Sequence, residues 1–289
     1  MANNQSNFAS FLEMDLGILI AKKWNNWSIF TGGIDFDLPG NGGPECLKYL
    51  TWKQRILETL LGLGLTLLAY WLGHSGPKLV PKKGGQHWQM SKWRLAFLAS
   101  LAICFGMELT YKLATKQLIF ILNPCHMLCL LQLWILGLNP HTKLAQNLFK
   151  IMLNALYAPL SACIFPVTNT LFLPGEIFTF WLEHILLLAI PVFLIFEGIL
   201  LPEGLNDPNY ALQFYAYYYI YNLLIVQPIA ILTLANVNNL LCPAITDPFA
   251  GKYYRLHTLW HQLCLSFTGG KLFALIGKAS NYWHHLKIE

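Results

Sequence analysis

Charge is the scarcest property of this chain. Asp, Glu, Lys and Arg make up 11% of its 289 residues, against about 25% in typical soluble domains. That shortage excludes an ordinary water-soluble globule. The net charge of +5 is scattered along the chain, so there is no dense basic footprint and no nucleic-acid partner is expected. Seven cysteines contain no C-x-x-C pair, which removes the zinc knuckle and the disulfide-rich scaffold from consideration. No Gly-rich phosphate loop follows a strand pattern, so no nucleotide, coenzyme A or other cofactor is expected. Residues 1–10 are polar and uncharged, so no secretory signal is expected there, and the first span is expected to direct the chain to the membrane.

What is present is grease. Residues of the AVILMFWYC set account for 55% of the chain, which indicates an all-α, polytopic transmembrane bundle. About seven segments approach the roughly 20 apolar residues a bilayer crossing needs. They are expected at residues 56–73, 95–108, 124–138, 144–165, 176–200, 211–235 and 256–276. Before them, residues 1–53 read as a leader with a possible interfacial amphipathic helix at 8–30 and a Gly/Pro turn at 39–44. Residues 54–277 form the bundle and 278–289 a short polar tail.

Lys78, Lys82, Lys83, Lys92 and Arg94, with no acid between them, place the loop after the first span on the cytoplasmic side. Lys48, Lys53 and Arg55 at the other end of that span argue the opposite way. Asn4-Gln5-Ser6 and Asn26-Trp27-Ser28 match the glycan-acceptor pattern and agree with a lumenal leader.

The chemistry gathers around Asn123-Pro124-Cys125-His126. Asn is a favoured helix N-cap and Pro a favoured first helical residue. Cys125 then falls in the first turn, where free N–H groups and the helix dipole stabilise a thiolate. A short apolar run before it, 118–122, is expected to dip into the membrane and set Cys125 in a protein pocket. The competing reading is a cysteine packed as a small hydrophobe.

His184 is a single basic group on an apolar helix face, and the alternative for it is a core histidine bonded to nearby backbone. Glu183 beside it points about 100° away and is not expected to orient its ring. Glu108 and Lys112, four apart, suit a structural ion pair, with Lys116 beyond them free to meet a lipid phosphate. Asn123, His126, Asn238, Asn239, Lys116 and His261 are candidates to bind substrate or its oxyanion. Asn238 and Asn239 serve equally well as turn residues. His257 and His261 have metal-ligand spacing, but no Glu-bearing motif surrounds them and no metal is expected. Tyr215, Tyr217, Tyr218, Tyr219 and Tyr221 read as packing aromatics.

These motifs resemble the transmembrane protein 164 family of polytopic acyltransferases. The matching pieces are Gly40-Asn41-Gly42-Gly43-Pro44 with Cys46, then 108–116 running on through Leu122-Asn123-Pro124-Cys125-His126, and 165–170. His184, Asn238-Asn239, 241–245, Asp247-Pro248-Phe249, Tyr254-Arg255, His261-Gln262 and Gly270-Lys271-Leu272 follow in order. The resemblance implies a cysteine acyl-enzyme, with Cys125 as nucleophile and His184 as the essential histidine. It implies transfer of a polyunsaturated, arachidonoyl-type chain from a diacyl phospholipid to a lyso-ether phospholipid, independent of coenzyme A. A multi-pass protein of the endoplasmic reticulum or Golgi is expected, with phospholipid and lysophospholipid as partners and no obligate protein partner. A lipid hydrolase using the same pair and a transporter remain alternatives at this stage. The same topology would put Cys46 and Cys242 on one side, either disulfide-bonded or simply buried.

Overall fold

The computed structural model describes residues 28–75 and 88–286. Residues 8–27 of the expected amphipathic helix, the first glycan-acceptor pattern, Asn26 and Trp27 of the second, and Lys78, Lys82 and Lys83 lie outside them. The described residues are helical with no strand, apart from one isolated bridge between Gly42 and Ala235.

Eight helices carry the bundle: α1 (Trp52–His74), α2 (Lys92–Ala114), α3 (Pro124–Gly137), α4 (Lys143–Leu153), α5 (Tyr157–Ile164), α6 (Glu176–Phe196), α7 (Asn209–Thr233) and α8 (Tyr254–Leu286). Side-chain caps start three of them. Thr51, Ser91 and Thr142 accept the backbone N–H of Gln54, Arg94 and Ala145, satisfying donors that a helix start leaves unpaired.

Five helical stretches among the described residues are long and apolar enough to cross a bilayer, not seven: α1, α2, α4 with α5, α6 and α7. The 14 residues of α3 span roughly 21 Å at 1.5 Å per residue, short of a hydrocarbon core of about 30 Å. The second span runs to Ala114 instead of stopping at Glu108, because Glu108 and Lys112 lie on one face and neutralise each other 3.1 Å apart.

The packing of α1 inverts the soluble pattern. Leu57, Leu60, Leu67, Leu68 and Trp71 are exposed, while Gly62, Thr66, Ala69 and Gly73 are buried. Small residues let the α1 backbone lie against α7, the usual device where lipid is as apolar as leucine and close packing drives association. A Cβ at Gly73 would come within 3.0 Å of the Asn209 carbonyl oxygen.

Buried arginines tie the ends together. Arg94 donates to the carbonyls of Ile135, Leu136 and Leu138 at the end of α3. Arg55 donates to Leu47, Leu240 and Leu241. Residues 28–53 are therefore docked against the bundle, with Cys46 and Leu50 buried. A disulfide joins Cys46 to Cys242, with Cα atoms 5.0 Å apart. Gly42 approaches the bundle backbone closely: its φ is +134°, and a Cβ there would sit 2.2 Å from the Leu234 carbonyl oxygen. The starts of α3, α6 and α8 meet the ends of α2, α5 and α7 at this end of the bundle, over a cavity.

Candidate active site

The cavity holds about 490 Å³ and has a mixed polar and apolar wall, within the usual range for a small-ligand site. Cys125 and His184 both line it, together with Asn123, His126, Asn238, Asn239, His261, Glu108 and Lys112. Lys116 does not. It is exposed just past the end of α2, with a φ of +54°.

Cys125 is half-buried in the first turn of α3. Asn123 occupies the N-cap position with extended backbone and Pro124 follows at the first helical place. The amide oxygen of Asn123 does not cap its own helix, however. It accepts the backbone N–H of Asn238 at 2.9 Å, so a side chain that would satisfy α3 instead ties α3 to the loop after α7. The Leu118–Leu122 run before it is a single stretch of 3-10 helix, with Ile119 buried against the core.

His184 is buried on α6 and its Nδ1 lies 2.7 Å from the Phe180 carbonyl. That oxygen can only accept, so Nδ1 carries the proton and Nε2 keeps its lone pair. The backbone bond that marks a core histidine also sets the tautomer a general base requires. No hydrogen bond joins Cys125 to His184 among the described residues. Catalytic contacts often tighten only when substrate is bound.

A chain of buried charges runs beside the pair. Glu183 faces His126 Nδ1 at 3.1 Å, and Glu108 faces His126 Nε2 at 3.8 Å. Lys112 reaches Glu108 at 3.1 Å and Glu176 at 3.8 Å. The thiol of Cys129 donates to Glu183 at 3.0 Å. Glu108, His126 and Glu183 offer ligand atoms within 4.8 Å of one another, the composition of a cation site. In the geometry present, each imidazole nitrogen faces a carboxylate, so the ring is held as a bridge between helices and is not free to serve as an oxyanion donor.

Asn238 is likewise committed. Its φ is +50° and that of Asn239 is +54°, a left-handed turn that asparagine tolerates better than most residues. The Asn238 amide donates to Asn222 at 2.6 Å and to the Tyr218 hydroxyl at 3.0 Å. Asn222 lies in a π-helical turn, Tyr221–Val226, that interrupts α7; such turns recur at functional sites. His261 stacks against Phe249, ring centroids 5.6 Å apart, as does the exposed His257 at 5.9 Å. The two histidines share the Phe249 ring.

Sequence reasoning gave Glu183 no part in orienting His184, took Tyr218 for a packing aromatic and did not single out Asn236. Asn236 holds the loops over the cavity, donating to the Gly40 and Cys242 carbonyls and accepting from the Leu241 N–H. The cue was a buried asparagine between two apolar stretches, where an unpaired amide would be costly.

A family model described as the TMEM164 family matches residues 49–273. The match includes α1 to α7, most of α8 and the catalytic candidates, but not the 40–46 turn. No solved structure matches the chain.

Proposed function

Because the chain belongs to the TMEM164 family, we propose that it is a membrane acyltransferase that carries an acyl group on Cys125 between two phospholipids. The observation that carries this reading is one wall shared by two groups. A helix-start cysteine and a histidine with its Nε2 lone pair available both line the same cavity within the helical bundle. The family resemblance supplies the substrate classes: a polyunsaturated, arachidonoyl-type chain leaves a diacyl phospholipid and joins a lyso-ether phospholipid.

The reaction follows from the groups in place. His184 Nε2 takes the thiol proton, and the Cys125 sulfur attacks the ester carbonyl. The tetrahedral adduct collapses, the ester C–O bond breaks, and the departing lysophospholipid oxygen takes the proton from His184. The second half runs in reverse: the acceptor hydroxyl gives its proton to His184 and attacks the thioester. A thioester keeps much of the acyl-transfer potential of the ester, so no nucleotide is consumed. Disulfides persist in oxidising compartments, so the Cys46–Cys242 bond supports a cavity end facing the lumen of the endoplasmic reticulum or Golgi.

The test is intact-protein mass spectrometry after brief exposure of purified protein to labelled phospholipid, with and without lysolipid. A hydroxylamine-sensitive adduct on Cys125 that disappears when lysolipid is added supports transfer. An adduct that clears equally fast without acceptor identifies a hydrolase. Full activity in Cys125→Ala removes the assignment.

A further inference from the structure

We propose that the hydroxyl of Tyr218, seconded by that of Tyr157, donates to the oxyanion formed when Cys125 attacks an ester; this rests on the acyl-transfer reading above. Of the amide and imidazole candidates, His126 and Asn238 are spent as donors, while Asn123 and Asn239 are held through their oxygens. His126 bridges Glu183 and Glu108. Asn238 gives both amide hydrogens away, one to Asn222 and one to Tyr218. The Asn123 oxygen is an acceptor already taken by the Asn238 N–H. Asn239 faces the Asn236 amide with its oxygen at 3.4 Å.

Tyr218 is in the opposite condition. Its phenolic oxygen accepts the Asn238 amide at 3.0 Å and the Gln262 amide at 3.3 Å. A phenol has one proton and two acceptor lone pairs, so the two amides fill the acceptor side and leave the O–H proton as the unspent group. Two donated bonds also draw electron density from the phenol and strengthen it as a donor.

Position agrees with this state. Tyr218 and Tyr157 both line the cavity that Cys125 lines. Tyr157 is buried beside Ser266, whose own hydroxyl donates to the Gln262 carbonyl. The linkage Asn123–Asn238–Tyr218 also registers the donor against α3, two residues from the nucleophile.

The step balances without any added reagent. The Cys125 sulfur forms a bond to the carbonyl carbon, and the carbonyl π pair moves onto oxygen. The Tyr218 O–H hydrogen-bonds that oxygen without transferring its proton. Collapse restores the C=O bond and expels the lysophospholipid oxygen, which is protonated by His184.

The experiment uses a long-chain polyunsaturated trifluoromethyl ketone, which adds to a thiol and places an oxyanion where the adduct would have one. Tyr218→Phe is expected to slow single-turnover acylation by about 10²–10³-fold, the scale for loss of one oxyanion donor. Ketone affinity should fall by a similar factor while lysophospholipid affinity is unchanged. In full-length protein carrying 3-fluorotyrosine at position 218, the hydroxyl and its two accepted bonds remain but the phenol is more acidic. Ketone binding should then tighten. Tyr218→Phe with wild-type acylation and ketone affinity overturns the proposal, as does a fluorotyrosine protein with unaltered ketone affinity. A wild-type protein that forms no ketone adduct on Cys125 overturns the acyl-enzyme reading itself.

Discussion

His126 Nδ1 lies 3.1 Å from the Glu183 carboxylate, and each of these residues is the chain neighbour of a group in the proposed reaction. His126 follows Cys125 on α3, and Glu183 precedes His184 on α6. The bond is therefore a cross-brace that fixes the height of one helix against the other. All four residues line the cavity, so the brace sits in the same wall as Cys125 and His184.

Breaking that brace is expected to cost activity without altering a reacting atom. Both side chains are at most 9% exposed, and leaving a buried polar partner unsatisfied costs about 1–3 kcal/mol, more where it is charged. His126→Ala and Glu183→Ala should each lower the thermal midpoint in detergent and slow transfer. The double variant should lose less than the sum of the two, since each loses the same partner. Strict additivity would mean that the two residues act separately.

Substitutions at the reacting groups should divide by chemistry. Cys125→Ser is expected to accumulate an oxygen ester, because an alkoxide leaves less readily than a thiolate. His184→Ala should slow acylation, deacylation or both by roughly 10²–10⁴-fold, the general acid–base scale. Rapid-quench measurement of each half-reaction reads these effects. Unchanged rates in His184→Ala would assign the base elsewhere.

The Cys46–Cys242 bond closes a loop of 196 residues in sequence separation and pins the turn around Gly42 to the loop that follows Asn238. Replacing both cysteines by serine should cost about 2–5 kcal/mol, the range for a native disulfide. Activity should fall as well, since the same loop positions Asn238 against Tyr218. Thermal scans with and without reductant provide the comparison. A midpoint indifferent to both treatments would show that the bond contributes nothing.

The same covalent tie predicts an orientation in the membrane. The Ala250-Gly251-Lys252 loop lies at the disulfide end, where the Gln54 side chain donates to the Lys252 carbonyl. A glycan-acceptor tag inserted there should be modified in cells, and one between residues 74 and 91 should not. The reverse pattern would turn the cavity toward the cytosol.

Composition alone determined that this chain is a helical membrane protein, because 11% charge leaves too little polarity to cover a soluble surface. Local chemistry at Asn123-Pro124-Cys125 determined the start of α3, and the four-residue spacing of Glu108 and Lys112 determined their ion pair. Those signals are short-range, carried by backbone caps and by neighbours on one helix. The roles of His126, Asn238 and Tyr218 were decided by partners 16 to 115 residues away along the chain. A buried donor or acceptor is defined by what fills it, and that partner is chosen only when the helices pack. Tertiary structure alone therefore turned a candidate oxyanion asparagine into a support for Tyr218.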